Sequence, residues 1–184
     1  GEIEQALLAP ARLGIEGAGS HYDFAMLPVG TALGYLPFST PLATFASQVT
    51  GAFLAGCPLI AMPSPHSSLI GILLGSIVSG LNLSRGSLQI VFGNFEVLRH
   101  GLLNKQVAAV LYNGSREHCE RIRAESRAVA ERQLVLQSGG KNALILHDSG
   151  DVDAAIKSTL AGALRAAGQM CTSTSRVFVH RSLV

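Results

Sequence analysis

Three short stretches of this 184-residue chain carry side chains that can do chemistry. In RAAGQMCTSTSRVFVH, residues 165–180, Cys171 stands between a Gly-Gln pair and four consecutive hydroxyl residues. A thiolate in a polar, accessible connection is a good nucleophile, whereas a cysteine inside an apolar run is a small inert hydrophobe. Position favours the first role for Cys171, although the residue alone is compatible with both. In YNGSREH, Gly114 and Ser115 follow a strand-like run and open a charged helical one. Bare N–H groups there, with the helix dipole behind them, suit a phosphate, and Ser115 or Asn113 acting as a plain helix cap explains the same letters. In SGGKN, two glycines precede Lys141, which is either a basic loop beside a site or a tight strand-to-strand turn needing positive φ.

The segments that must position these residues alternate short apolar strands with longer helical runs. The expected order is a short helix over residues 3–13 with a Gly-rich link, the strand TALGYLP, and the helix PLATFASQVTGAFLAG, with proline in its first turn and Gly56 at its stop. Then come the strand CPLIAM, the helix SSLIGILLGSIVSG, and the strands LQIVFG, VAAVLYNG and RQLVLQ, the last two flanking the charged helix SREHCERIRAESRAVAE. The strand NALILH, the helix DVDAAIKSTLAGALRAAG ending at Gly168, and the strand RVFVH complete the chain. Such alternation predicts right-handed βαβ units and an α/β, doubly wound parallel sheet, Rossmann-like in form. Ligands of such sheets bind beyond the carboxyl ends of the strands, where all three stretches fall.

Composition narrows the function classes. Hydrophobic residues make up 48% and charged residues 14% of the chain, which is apolar and globular in character. A net charge of +2 from scattered Lys and Arg is too weak a balance for a nucleic-acid partner. Residues 24–84 contain no Asp, Glu, Lys or Arg, yet prolines, glycines and serines interrupt every apolar run, so buried α/β elements and a subunit contact are expected rather than a membrane span. Cys57, Cys119 and Cys171 are odd in number and form no ligand-spaced pair, and the six histidines are dispersed. No metal site is therefore expected, and without a secretory pattern at the start the expected setting is reducing and cytoplasmic.

Taken in order, the stretches from Leu27 onward resemble the middle of an aldehyde dehydrogenase. LPVGTALGYLPFSTP is similar to that family's Pro-x-Gly strand running into Pro-Phe-Asn-Phe-Pro, and AFLAGCPLIAMPSP to its strand ending in Lys-Pro-Ser-Glu. VLYNGS resembles Phe-Thr-Gly-Ser, LQSGGKNALILHDSGDVDAAI resembles Leu-Glu-Leu-Gly-Gly-Lys with its acidic sequel, and GQMCTSTSRVFVH resembles Gly-Gln-x-Cys and its strand. The resemblance implies a cofactor-binding-type domain over residues 27–136 and the start of a catalytic domain over residues 137–184, after an N-terminal helix and link over residues 1–26. It further implies NAD or NADP as cofactor, a small-molecule aldehyde as substrate, and assembly into a homo-oligomer or packing against the rest of a longer chain.

Carried over by position, Cys171 matches the family's nucleophile, and Gly114 and Ser115 match the pyrophosphate contact. The other matches are altered: the general-base glutamate falls at Gln137, the oxyanion asparagine at Ser39, and the ribose-holding lysine and glutamate at Met62 and Pro65. A family Gly-x-Gly reads Gly93-Asn94-Phe95, and a further family glycine becomes Cys119. Losing a general base costs about 10²–10⁴ in rate, and losing one oxyanion donor about 10² more. The matched positions therefore imply impaired hydrolytic turnover and weak or lost cofactor binding. Three readings follow: an aldehyde-oxidising enzyme of altered competence, a relative that passes a Cys171-bound acyl group to a thiol such as coenzyme A, and a non-catalytic assembly domain.

Overall fold

The computed structural model describes residues 11–13, 22–24, 27–129, 132–148 and 150–184. Ahead of the main sheet, β1 (Ala11–Leu13) and β2 (Tyr22–Phe24) form a small antiparallel pair. The helix expected over residues 3–13 is thus replaced by a strand at its last three residues, and its remainder lies outside the described residues.

Five parallel strands form the body of the fold: β3 (Thr31–Leu36), β4 (Leu59–Pro63), β5 (Leu88–Ile90), β6 (Val107–Gly114) and β7 (Gln133–Ser138). Their order is β5-β4-β3-β6-β7, so the chain winds outward from β3 in one direction and, after β5, returns to β3's other side and winds the opposite way. The doubly wound parallel sheet read from the sequence is the fold observed. Strands β3, β4 and β6 are near-continuous apolar runs because helices cover both faces, whereas β7 at the edge alternates exposed and half-buried residues.

Alternation along each strand sorts the core. Ala32, Leu36, Leu59, Ala61 and Ala109 face one side, where α1 (Pro41–Leu54) and α2 (Ser68–Ser79) supply Ala52 and Leu74. Leu33, Met62, Val110 and Tyr112 face the other, against α3 (Phe95–Leu103) and α4 (Arg116–Ser126), which supply Leu98, Leu102, Cys119 and Ile122. The α1 helix begins on Pro41 and gives way to Gly56 at φ +67°, as its sequence suggests. Helix α3 was not foreseen, because its apolar stripe is only Leu98 and Leu102 one turn apart. Asn94 starts it, its side-chain oxygen accepting from the N–H groups of Glu96 and Val97 at 3.1 and 3.4 Å.

A second, two-stranded parallel sheet follows, made of β8 (Asn142–Leu146) and β9 (Thr174–Val179) and joined by α5 (Val152–Leu164). The domain division expected between residues 136 and 137 falls inside β7, and the change of sheet occurs across residues 139–141. Asp151 caps α5 by accepting from the Ala154 N–H at 3.1 Å. Nothing in α5 is buried: its Leu160 and Leu164 stand well exposed, as does Ile145 of β8. The helix stops at Leu164 rather than Gly168, and Ala166, Ala167 and Gly168 follow at φ +51°, +55° and +72°. Left-handed alanines are uncommon and carry a cost, and here they turn the backbone into the approach to Cys171.

Candidate active site

Because winding reverses between β3 and β6, the connections leaving those two strands diverge and open a crevice at their carboxyl ends. A cleft of about 590 Å³ lies there. The residues after β3, Pro37 to Ser39, form one wall, and the end of β6 with the first turn of α4, Tyr112 to His118, forms the other. Gly139 and Gly140 beyond β7, and Gly168 to Cys171 ahead of β9, close the far side.

Cys171, Gly114, Ser115, Ser39 and Pro65 are thereby brought to one cleft. Cys171 is exposed, whereas Cys57 and Cys119 are buried. Met62 does not join them: at 1% exposure it packs with Leu33, Leu98 and Leu102 in the core, because strand alternation turns it beneath the sheet rather than over its end. Gln137 also lies apart, lining a second cleft of about 550 Å³ with Gln48 and Val135. There its Oε1 accepts from Asn113 Nδ2 at 3.3 Å.

Each functional segment is held locally. Ser115 is the N-cap of α4, its Oγ accepting from the His118 N–H at 3.2 Å, and it lines the cleft as well, so the capping and ligand-facing readings are compatible. A Cβ at Gly114 would lie 2.4 Å from the Tyr112 hydroxyl, so only a bare backbone fits at this corner. The glycines of SGGKN do not make a positive-φ turn. They lead instead into Asn142, whose Nδ2 donates to the carbonyls of Cys171 and Ser173 at 2.7 and 3.2 Å. Arg176 reinforces the same junction by donating to the Lys141 carbonyl from Nη2 and Nε at 2.6 and 3.1 Å. Asn142 was missed in the sequence because nothing in a GGKN stretch indicates a partner 29 residues away.

Aromatic groups line the cleft's other end. Tyr112 stacks on Tyr35 with centroids 4.9 Å apart, and its hydroxyl is 3.0 Å from His118 Nδ1. Burial pushes the Tyr112 phenol up to about 12, so it remains a neutral hydrogen-bonding group. His118 stacks on Phe95 at 4.6 Å, and the Arg121 guanidinium lies over the same Phe95 ring at 3.9 Å. Phe95 therefore has a partner on each face, a consequence of the aromatic residue noted at Gly93-Asn94-Phe95. Cys119, behind this wall, has its thiol pushed up by burial and only partly drawn back by Arg123.

No helix among the described residues is long and apolar enough to cross a membrane. Comparison with known proteins agrees with the fold. The chain is 29% identical over 157 residues to a mitochondrial succinate-semialdehyde dehydrogenase of Oryza sativa subsp. japonica, covering 85% of this chain and 30% of that protein. It is 31% identical over 164 residues to the human 2-aminomuconic semialdehyde dehydrogenase, covering 89% of this chain and 33% of the relative. The solved structure of a Burkholderia pseudomallei succinate-semialdehyde dehydrogenase superposes with a TM-score of 0.88 at 26% identity, covering 98% of this chain and 38% of that one. The chain thus spans about a third of the length of the relatives it matches. With the family model matching residues 8–184, this chain belongs to the aldehyde dehydrogenase family.

Proposed function

We propose that this chain carries the cofactor corner and the nucleophile of an enzyme that oxidises a small-molecule aldehyde with NAD or NADP. One juxtaposition supports the reading above all others: the exposed Cys171 and the Gly114–Ser115 corner line the same cleft.

The first turn of α4 fits a diphosphate. Gly114 leaves the backbone bare, Ser115 caps the helix, and Arg116 lies on the same wall. The ribose side fits less well, since Met62 is buried and Pro65 has neither an N–H nor a polar side chain to offer. Weak binding is therefore expected.

In the proposed reaction the Cys171 thiolate attacks the aldehyde carbon and forms a C–S bond, the carbonyl oxygen taking the electron pair. Ser39 and the Cys171 N–H would receive that oxyanion. A bound nicotinamide cofactor supplies the acceptor for the hydride that leaves the same carbon. What remains on Cys171 is a thioester, which water or another thiol must cleave. Gln137 has no titratable proton and is held by Asn113, so it cannot serve as the base for water. That observation favours a second reading, in which a thiol such as coenzyme A takes the acyl group.

The test is the alkylation rate of Cys171 with iodoacetamide at neutral pH, with and without NAD or NADP. The enzyme readings expect fast modification that changes on adding cofactor. An indifferent rate, with no heat of cofactor binding at millimolar concentration, favours the assembly-domain reading. An assay with aldehyde, cofactor and coenzyme A separates the two enzyme readings.

A further inference from the structure

The parallel strands β8 and β9 end side by side at the pair Leu146 and Val179, and the His180 N–H extends the ladder by donating to the Leu146 carbonyl at 2.9 Å. His147 and His180 are thus the first residues past the last paired rung on two adjacent strands. Their rings lie 5.5 Å apart, centroid to centroid, tilted by 35°. Both are exposed, and neither belongs to the cleft that holds Cys171.

The ring nitrogens divide in a way that suits a ligand. On His147, Nδ1 contacts the Asp148 carboxylate. On His180, Nδ1 is 2.9 Å from Ser182 Oγ. With Nδ1–H donated in each case, both Nε2 atoms carry the lone pair, and neither has a hydrogen-bond partner among the described residues. The Ser182 N–H also points at His180 Nδ1, at 3.4 Å, and this weak contact is given up in that tautomer. A carboxylate or hydroxyl behind Nδ1 fixes the ring and makes Nε2 a better metal ligand. Two imidazoles on one tetrahedral ion, at metal–nitrogen distances of about 2.0–2.1 Å, hold their centroids about 5 Å apart. The observed centroid separation of 5.5 Å is close to that.

We propose that His147 and His180 form a two-histidine site for a divalent transition-metal ion such as Zn²⁺ or Cu²⁺, with Asp148 and Ser182 as its supporting shell. Among the described residues no group of three or more His, Cys, Asp or Glu surrounds an ion, so water completes the coordination and the ion exchanges readily. The ion would clip together the adjacent ends of β8 and β9. Such a clip stabilises the folded state by mass action.

The experiment uses the whole chain carrying Cys171→Ser, so that the exposed thiol does not compete for metal. Calorimetric titration with zinc chloride and with copper(II) chloride should show one ion per chain, and saturating zinc should raise the melting temperature. His147→Ala and His180→Ala should each weaken binding at least about tenfold, and Asp148→Asn, which keeps both imidazoles, should weaken it about 10- to 100-fold. Zinc should also protect His147 and His180 together from diethylpyrocarbonate, a readout that needs no histidine variant. Absence of binding in the parent chain, equal binding by the alanine variants, or no joint protection would each overturn the site. Unchanged affinity in Asp148→Asn would overturn the supporting role of that carboxylate.

Discussion

Replacing Tyr112 by Phe should make this protein less stable at neutral pH and more stable in strong alkali. The Tyr112 side chain is almost wholly buried, and its phenol is pushed up to about 12 from an ordinary value of 10.0. Above pH 10 the unfolded chain gives up this proton while the folded chain keeps it. Stability contributed by the neutral phenol is therefore intact below pH 10 and lost as pH rises toward 12. Two pH units correspond to about 2–3 kcal/mol. At pH 8, Tyr112→Phe loses the hydroxyl's contacts with His118 Nδ1 and Ser115, a net cost of about 1 kcal/mol, since the ring that stacks on Tyr35 is kept. The two stability curves should then cross near pH ~11. Urea unfolding of both proteins from pH 7 to 12 measures the difference directly. Groups remote from Tyr112 cancel because both chains share them, whereas Tyr35 and Cys119 act on the phenol and their coupling to it is part of the difference. A difference that stays constant across this range would refute a buried, neutral Tyr112.

Other substitutions probe the elements that hold the site. Asn142→Ala removes the donor to the Cys171 and Ser173 carbonyls and should lower stability by about 1–2 kcal/mol, with a fall in Tm of roughly 2–6 °C by scanning fluorimetry. A fall of less than ~1 °C would contradict this anchor. Arg132 donates to the carbonyls of Leu102, Asn104 and Val107 where α3 meets β6, and burial lowers its pKa without discharging it. Arg132→Met should cost about 2–4 kcal/mol in chemical denaturation, with Arg132→Lys recovering only part because one ammonium cannot span three carbonyls. Gly114→Ala would drive a methyl into the Tyr112 hydroxyl, and a loss of about 1–3 kcal/mol is expected in the same assay.

Helix α1 shows how far local sequence reaches: a proline first turn, an apolar stripe and a glycine stop identify it without reference to anything distant. The strands of the main sheet are legible for a related reason, since apolar runs buried on two faces look the same wherever they pair. Helix α3 was missed because two leucines one turn apart make too short a stripe, and only packing against Leu33 and Val110 reveals that it is needed. In the same way Cys171, Gly114 and Ser115 announce themselves by type and spacing, and strand order then brings them to one cleft. Met62 and Gln137 depend on which way a strand turns its side chains, and Asn142, His147 and His180 depend on partners about 30 residues along the chain. Residue types and local periodicity therefore specified the elements and the reactive groups, while the pairing of distant strands alone settled which of those groups could meet.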